Sequence, residues 1–308
     1  MLSRYLLLWL ICGSGLAALW PWREADPFVG SKPLLGYLIA GTMFCVGSLL
    51  RWQEIRELGS RWGLVGWGTL TQYLAMPLLA WLMATLFGFS GDLRIGIIMA
   101  GCVPGAMASN VLTLTARGHV SYSVSLTTLA TLVSPIVVPA ALKLTLGTSV
   151  SQQELAKSAT TLVWQVVLPV IAGFGLAHSL HGWKRLAERW AEPLAQLAIL
   201  WVIAVVVALN RTHLTTQAWQ LLPPLLGLNL LGFAAGWGAG RLARMPEAMQ
   251  RALMLEIGMQ NAGLGASLAV SLFPSQPGVA LPCGLYAFGC MLTGTMLAQW
   301  MSQRPLSE

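Results

Sequence analysis

Glu256 is the residue in this chain best placed to do chemistry inside a membrane. It lies in 253-LMLEIGMQNAGLGASLAV-270, where Gly258, Gly263 and Gly265 surround two amides, Gln260 and Asn261, at positions a lipid-facing helix would give to Leu or Ile. The remaining acidic residues, Glu24, Asp26, Glu54, Glu57, Asp92, Glu154, Glu188, Glu192, Glu247 and Glu308, fall in expected loops or at span ends. A carboxylate at membrane depth costs on the order of 3 kcal/mol even on insertion scales, so it takes a partner or a cavity. A carboxylate and two amides around a weakened helix make an ion site, with Glu256 as a cation ligand.

The composition requires spans to hold that site. Of 308 residues, 56% are hydrophobic and 9% charged, and the mean hydropathy is +0.68; an ordinary soluble domain is excluded. The net charge of +7 sits mostly in short loops, the pattern of membrane topology, and forms no basic stripe for nucleic acid. Windows of about 20 apolar residues predict ten helices, at 2–20, 33–50, 63–87, 93–117, 119–146, 156–180, 192–209, 217–241, 247–273 and 278–301. The segment from Met1 to Trp20 reads as a first span rather than a cleaved leader, because Trp20, Pro21 and Trp22 stand where small residues would mark cleavage. The connections near 20–32, 51–62, 147–155 and 181–191 are too short for a separate soluble domain, so residues 1–308 form one transmembrane unit.

An even number of spans puts both termini on one side. Arg4, Arg51, Arg56, Arg61, Arg117, Lys184, Arg185, Arg189, Arg241, Arg244, Arg251 and Arg304 fall on that side, against Arg23, Lys32, Arg94, Lys143, Lys157 and Arg211 opposite. This bias places both termini in the cytoplasm, in the inner membrane if the chain is bacterial. The loop at 147–155 divides the spans into 1–147 and 156–303. An odd number in each half forces the second to insert upside down, giving two inverted five-helix repeats. Each half has a disrupted fourth span: 96-GIIMAGCVPGAMASNVLTL-114, where Pro104 removes a backbone donor between Gly101 and Gly105, and the Glu256 segment. Interruptions at corresponding positions point to a midplane binding site.

The run 104-PGAMASNVLTLTARGHVSYSVSLTTLATLVSPIVVPA-140 together with 256-EIGMQNAGL-264 resembles the bile acid:sodium symporter family, especially its bacterial members, and the resemblance extends over essentially the whole chain. It implies an all-α polytopic membrane protein of ten helices, with a panel domain of the first, second, sixth and seventh and a core domain of the rest. The broken fourth and ninth helices would cross beside two sodium ions. Carried over by motif, one sodium site would use Ser109, Asn110, Ser123, Thr127 and Glu256. The second would use Gln72, from 71-TQYLAMPLLAW-81, with Glu256, Gln260 and the backbone carbonyls of Ile257 and Met259. Ser123 and Thr127, four apart, share one helix face. The implied function is sodium-coupled import of a small organic anion, a bile-acid-like or other carboxylate or sulfonate, by alternating access in a lipid bilayer, with no nucleic acid and no obligatory protein partner evident.

The chain departs from the family where solute should bind. Met107 stands where bacterial members usually carry Thr, and in 285-LYAFGCMLTGTMLA-298 Cys290 and Met291 replace a His and an Asn. With Asn261, these are the candidate solute contacts, and they leave pantoate or bile acid specificity open. Other polar residues have structural readings: Asn229 as interhelical glue, Gly232, Gly236 and Gly240 as a packing ridge, His178 and His181 as interfacial, and the five cysteines as small buried residues. Asn210-Arg211-Thr212 matches a glycosylation sequon of low specificity. Two other functions fit Glu256: a proton-coupled organic acid carrier in which it titrates, and a non-transporting membrane sensor of the same fold. The GxSG match at 88–91 offers Ser90 as a hydrolytic nucleophile, but no His is suitably placed for it.

Overall fold

A computed structural model describes residues 6–22 and 24–305; Arg4, Arg23 and Glu308 lie outside the described residues, as does the side chain of His181. Along the chain run α1 (Leu6–Leu19), α2 (Pro27–Gly30), α3 (Leu35–Leu49), α4 (Trp52–Ser60), α5 (Trp62–Leu86), α6 (Gly91–Cys102), α7 (Ala108–Thr115) and α8 (Val120–Leu146). There follow α9 (Gln152–Leu162), α10 (Leu168–Ser179), α11 (His181–Leu209), α12 (Arg211–Leu242), α13 (Glu247–Gly258), α14 (Ala262–Leu272) and α15 (Leu281–Ser302). A π-helical turn, Val163–Val167, joins α9 to α10 just ahead of Pro169. Seven described helical stretches are long and apolar enough to cross a membrane, and α1 and α14 are shorter apolar helices. The chain is an integral multi-pass membrane protein.

Two expected connections are helical instead. Residues 181–191 belong to α11, which puts Ala187, Ala191 and Ala195 on its buried face while Lys184, Arg185 and Glu188 face outward. The charges on the outer face lower the hydropathy of this stretch, but the four-residue spacing of the small residues is that of an amphipathic helix. Residues 51–62 hold α4. Its start is fixed by the buried Glu54, whose Oε2 accepts the Arg51 backbone N–H at 2.8 Å while Oε1 accepts Arg51 Nε at 3.0 Å, one half of a reciprocal cap. Trp52 packs edge-on against Phe174 and ties α4 to α10.

Two sets of helices pack among themselves. In one, α3 lies against α10 and α11, and α11 against α1; in the other, α12 lies against α5, α13 and α15, and α5 against α6 and α8. The expected glycine ridge lets α12 approach α13 closely: a Cβ at Gly236 would sit 2.7 Å from the Met254 Cα, and one at Gly232 3.0 Å from the Gly258 Cα. His178 accepts its structural reading, with Nδ1 2.8 Å from the Phe174 carbonyl and its ring against Trp52 and Phe174. Cys102, Cys283 and Cys290 are buried, whereas Cys45 is only partly buried and Cys12 is exposed, because α1 turns that face outward. The sequon is not an acceptor surface: Asn210 is fully buried and its Nδ2 donates to the Val206 carbonyl at 2.9 Å.

One ion pair closes the end of the molecule opposite the α4 end. Asp26 caps α2 by accepting from Phe28 N and Val29 N at 3.0 and 3.1 Å, and pairs with Arg211 Nη1 at 2.5 Å. Arg211 Nε also donates to the Ala17 carbonyl at 2.7 Å, so the end of α1, the start of α2 and the start of α12 are held together. Burial pushes the Asp26 carboxyl up, but the Arg211 hydrogen bond, the Val29 N–H, the Arg211 charge and the Phe28 N–H outweigh it and hold it below the usual carboxylate range. A depressed folded-state pKa stabilises above the unfolded value, near 3.9, and that stability is lost as pH falls through the folded value. Asp26→Asn is therefore expected to lower the melting temperature at pH 7 and to flatten its fall below about pH 4; melting curves that match the wild type at every pH would remove this role.

Candidate ion and solute site

Both helix breaks come from local sequence, and each satisfies the other. Pro104 brings no N–H and disfavours helical backbone at Val103, so α6 ends at Cys102 and Val103 is extended. In the other segment Met259 is extended after Gly258. Each break strands backbone groups that have no water to bond at this depth. Ala106 N donates to the Met259 carbonyl and Asn261 N to the Pro104 carbonyl, each at 2.8 Å, an antiparallel bridge between Gly105 and Gln260. The two interrupted spans thus cross at their breaks.

The freed end of α13 is held from two neighbouring helices. The Gly258 carbonyl accepts Asn229 Nδ2 from α12 and Tyr286 Oη from α15, both at 2.7 Å, and Thr293 Oγ1 donates to Asn229 Oδ1 at 2.5 Å. Asn261 Oδ1 accepts Leu264 N at 3.1 Å and caps α14. Asn229 is thereby the interhelical fastener its sequence position suggested. Tyr286 and Thr293 were missed, although a Tyr tip inside an apolar span calls for a partner.

Glu256 projects from α13 into this crossing and is 2% exposed. Thr127 Oγ1 lies 2.6 Å from its Oε1, Ser109 Oγ 2.5 Å from its Oε2, and Ser123 Oγ 3.4 Å from the same oxygen. Ser109 also lies 2.7 Å from the Ala106 carbonyl, so its single proton serves one acceptor at a time. Gly105 is needed for the approach, since a Cβ there would sit 2.2 Å from Glu256 Oε1. Asn110 stands at the edge of the cluster, its Oδ1 3.4 Å from Thr127 Oγ1. Thr113, four residues after Ser109 and on the same face, adds a hydroxyl 3.3 Å from Ser123 Oγ; that spacing was visible in the sequence. Among the described residues no Lys, Arg or His pairs with Glu256.

A second group of oxygens adjoins it. Gln72 Nε2 donates to Gln260 Oε1, and Gln260 Nε2 to the Ile257 carbonyl, both at 2.8 Å. Gln72 Oε1 is buried with no hydrogen-bond partner. The Ile257 and Met259 carbonyls each hold one hydrogen bond, leaving a lone pair on each. Such an all-oxygen set of low charge suits a hard monovalent cation. The four candidate solute contacts, Met107, Asn261, Cys290 and Met291, line one cavity of about 70 Å³ together with Gln260. Met107 also lines a second cavity of about 180 Å³, together with Asn110, Thr127, Val46, Val170, Glu54 and Glu192.

A multi-span helical protein that buries a carboxylate among neutral oxygens, where two broken helices cross, belongs to the class of ion-coupled membrane transporters. A family model described as "Sodium Bile acid symporter family" matches residues 37–217. The chain is 33% identical to the "Uncharacterized sodium-dependent transporter YocS" of Bacillus subtilis (strain 168), over 85% of this chain and 81% of that protein. It is 30% identical to the "Probable sodium/metabolite cotransporter BASS2, chloroplastic" of Oryza sativa subsp. japonica, over 99% of this chain and 72% of that one. It is also 29% identical to the "Ileal sodium/bile acid cotransporter" of Cricetulus griseus, over 76% and 68%. The chain belongs to the sodium bile acid symporter family; it is a membrane transporter of the sodium-symport type and not an enzyme.

The Gly258 carbonyl gives a direct test of how the crossing is held. Tyr286→Phe leaves one of its two donors and is expected to cost about 1 kcal/mol, and Tyr286→Phe with Asn229→Ala about 2–3 kcal/mol, read as stepwise falls in melting temperature in detergent. Equal melting of all three proteins would show that these bonds do not secure the break.

Proposed function

We propose that this protein is a sodium-coupled symporter that imports a small organic anion by alternating access. One sodium ion binds Ser109, Asn110, Ser123, Thr127 and Glu256; the second binds Gln72, Glu256, Gln260 and the carbonyls of Ile257 and Met259. The observation that carries this reading is the burial of Glu256 among hydroxyls with no Lys, Arg or His paired to it among the described residues. A buried unpaired charge is costly, and a cation supplies what the chain does not. The buried, unpartnered Gln72 Oε1 favours a metal ion over a lone proton, which needs only one acceptor.

The anion assignment is supported by the small cavity at the crossing. Met107, Ala108, Ala262 and Gly263 line it, so the N-termini of both half-helices, α7 and α14, open there with their positive dipole ends. Met107, Cys290 and Met291 make much of the wall beside Gln260 and Asn261 apolar, which favours an acid with a hydrocarbon body over a polyhydroxylated one. We read α1–α8 and α9–α15 as the two inverted halves, with α1, α3, α9–α11 as the panel and the other spans as the core. The observed packing of two helix sets supports that division. The excess of Lys and Arg at the α4 and α15 ends supports cytoplasmic termini.

If two sodium ions accompany one monoanion, one charge moves inward, worth about 2.3 kcal/mol per 100 mV. A tenfold sodium gradient adds roughly 1.4 kcal/mol per ion, enough in total for accumulation of several thousandfold. Glu256→Ala is expected to abolish both sodium-dependent thermal stabilisation and sodium-driven uptake into proteoliposomes. A thermal-shift screen of carboxylates and sulfonates, each with and without sodium, identifies the solute as the compound whose shift requires the ion. Uptake that follows pH and ignores sodium would assign a proton-coupled carrier, and sodium stabilisation without flux for any compound would assign a sensor.

A further inference from the structure

A groove of about 1070 Å³ lies between α12, α13 and α15, and it shares no residue with the cavities at Met107. Its two walls repeat one pattern. Leu230, Ala234, Trp237 and Arg241 line it from α12, and Thr293, Leu297, Trp300 and Arg304 from α15. The spacing is four, three and four residues in both, so Leu230 to Arg241 and Thr293 to Trp300 each follow one helix stripe that reaches a Trp through an aliphatic residue, and an Arg closes each wall. Both helices end on the same side, with Arg241 in the last turn of α12 and Arg304 just beyond α15.

Each guanidinium is stacked on the Trp of the preceding turn, Arg241 Cζ 5.0 Å from the Trp237 ring and Arg304 Cζ 3.7 Å from the Trp300 ring. Stacking fixes the plane of the fork and leaves its edge donors open. Neither has a carboxylate partner among the described residues. The floor carries one acid, Glu247, and Arg251 already neutralises it through contacts of 2.5 and 2.9 Å. Leu230, Trp237 and Trp300 are about half exposed on helices long enough to span, so the groove opens sideways toward lipid.

We propose that this groove binds an anionic phospholipid: acyl chains lie along Leu230, Ala234 and Leu297, the glycerol level meets Trp237 and Trp300, and the phosphate is held between Arg241 and Arg304. An aliphatic stripe continuous with an aromatic belt and a basic end matches that molecule along its whole length. A soluble anion would use the two arginines and leave the apolar stripe unexplained. The site is independent of how Glu256 works.

The test is retention of phosphatidylglycerol against phosphatidylcholine of the same chains by the purified full-length protein, counted by native mass spectrometry and followed by thermal unfolding. Two basic contacts at the headgroup level correspond to a preference of about thirtyfold for phosphatidylglycerol. Arg241→Gln with Arg304→Gln is expected to bring the ratio close to one while melting in phosphatidylcholine stays at the wild-type value. Should the double variant fail to fold, each single variant is expected to lose about fivefold. Arg94→Gln, on the opposite side, is expected to keep the full preference. Equal retention of both lipids by the wild type, an unchanged preference in the Arg241 and Arg304 variants, or the same stabilisation by inorganic phosphate alone would overturn the proposal.

Discussion

The structure depends on one constraint: a carboxylate is held at membrane depth at the point where two helices are broken. Neither feature is tolerable alone. Broken helices expose backbone groups that lipid cannot bond, and Glu256 brings a charge that lipid cannot solvate. The crossing resolves the first through the paired N–H and carbonyl groups of Pro104, Ala106, Met259 and Asn261. The hydroxyls of Ser109, Ser123 and Thr127 resolve only part of the second, because hydrogen bonds stabilise a carboxylate without neutralising it. The cluster thus lacks a positive charge among the described residues, and the sodium ion proposed above would supply it.

The rest of the fold keeps that point rigid. α12 comes close to α13 through its glycine ridge and delivers Asn229 to the Gly258 carbonyl. α15 delivers Tyr286 to the same atom and lines the small cavity with Cys290 and Met291. α5 brings Gln72 to Gln260 from the far side. α3 and α11 belong to the other helix set, and they close the cavities rather than the ion cluster. The two cavities thus lie between the helix sets, whereas the oxygens around Glu256 come from one set alone.

Much of this was legible in the sequence, and the reasons differ from element to element. Glu256 stood out because its cost in an apolar span is high, and Asn229 because an amide in such a span needs a partner. Proline alone did not locate the breaks: Pro77, Pro135 and Pro139 lie within intact helices, where the neighbouring turns absorb the lost donor. Pro104 ends a helix because Gly105 follows it and because Met259 and Asn261 offer replacement partners from 150 residues away in sequence, about which local propensity is silent. The helices at 52–60 and 181–191 were hidden for the opposite reason, since hydropathy windows discard charged residues that an amphipathic face tolerates. Of the proposed ligands, Ser109, Ser123 and Thr127 meet Glu256 directly, whereas Asn110 reaches it only through Thr127. The rotamers that set such differences are fixed by packing and cannot be read from the residue types.

Met107, Cys290 and Met291 line the small cavity and make no hydrogen bond to Glu256, so under the proposed function solute choice could change without altering the oxygens around that carboxylate. The decisive question is whether the oxygen cluster holds sodium. Equilibrium binding of radioactive sodium to the purified protein answers it most directly: two saturable ions are expected in the wild type, one after Gln72→Ala and none after Glu256→Ala, with potassium a poor competitor. No saturable binding in the wild type, or binding unchanged when Glu256 is removed, would contradict the assignment of this crossing as the sodium site.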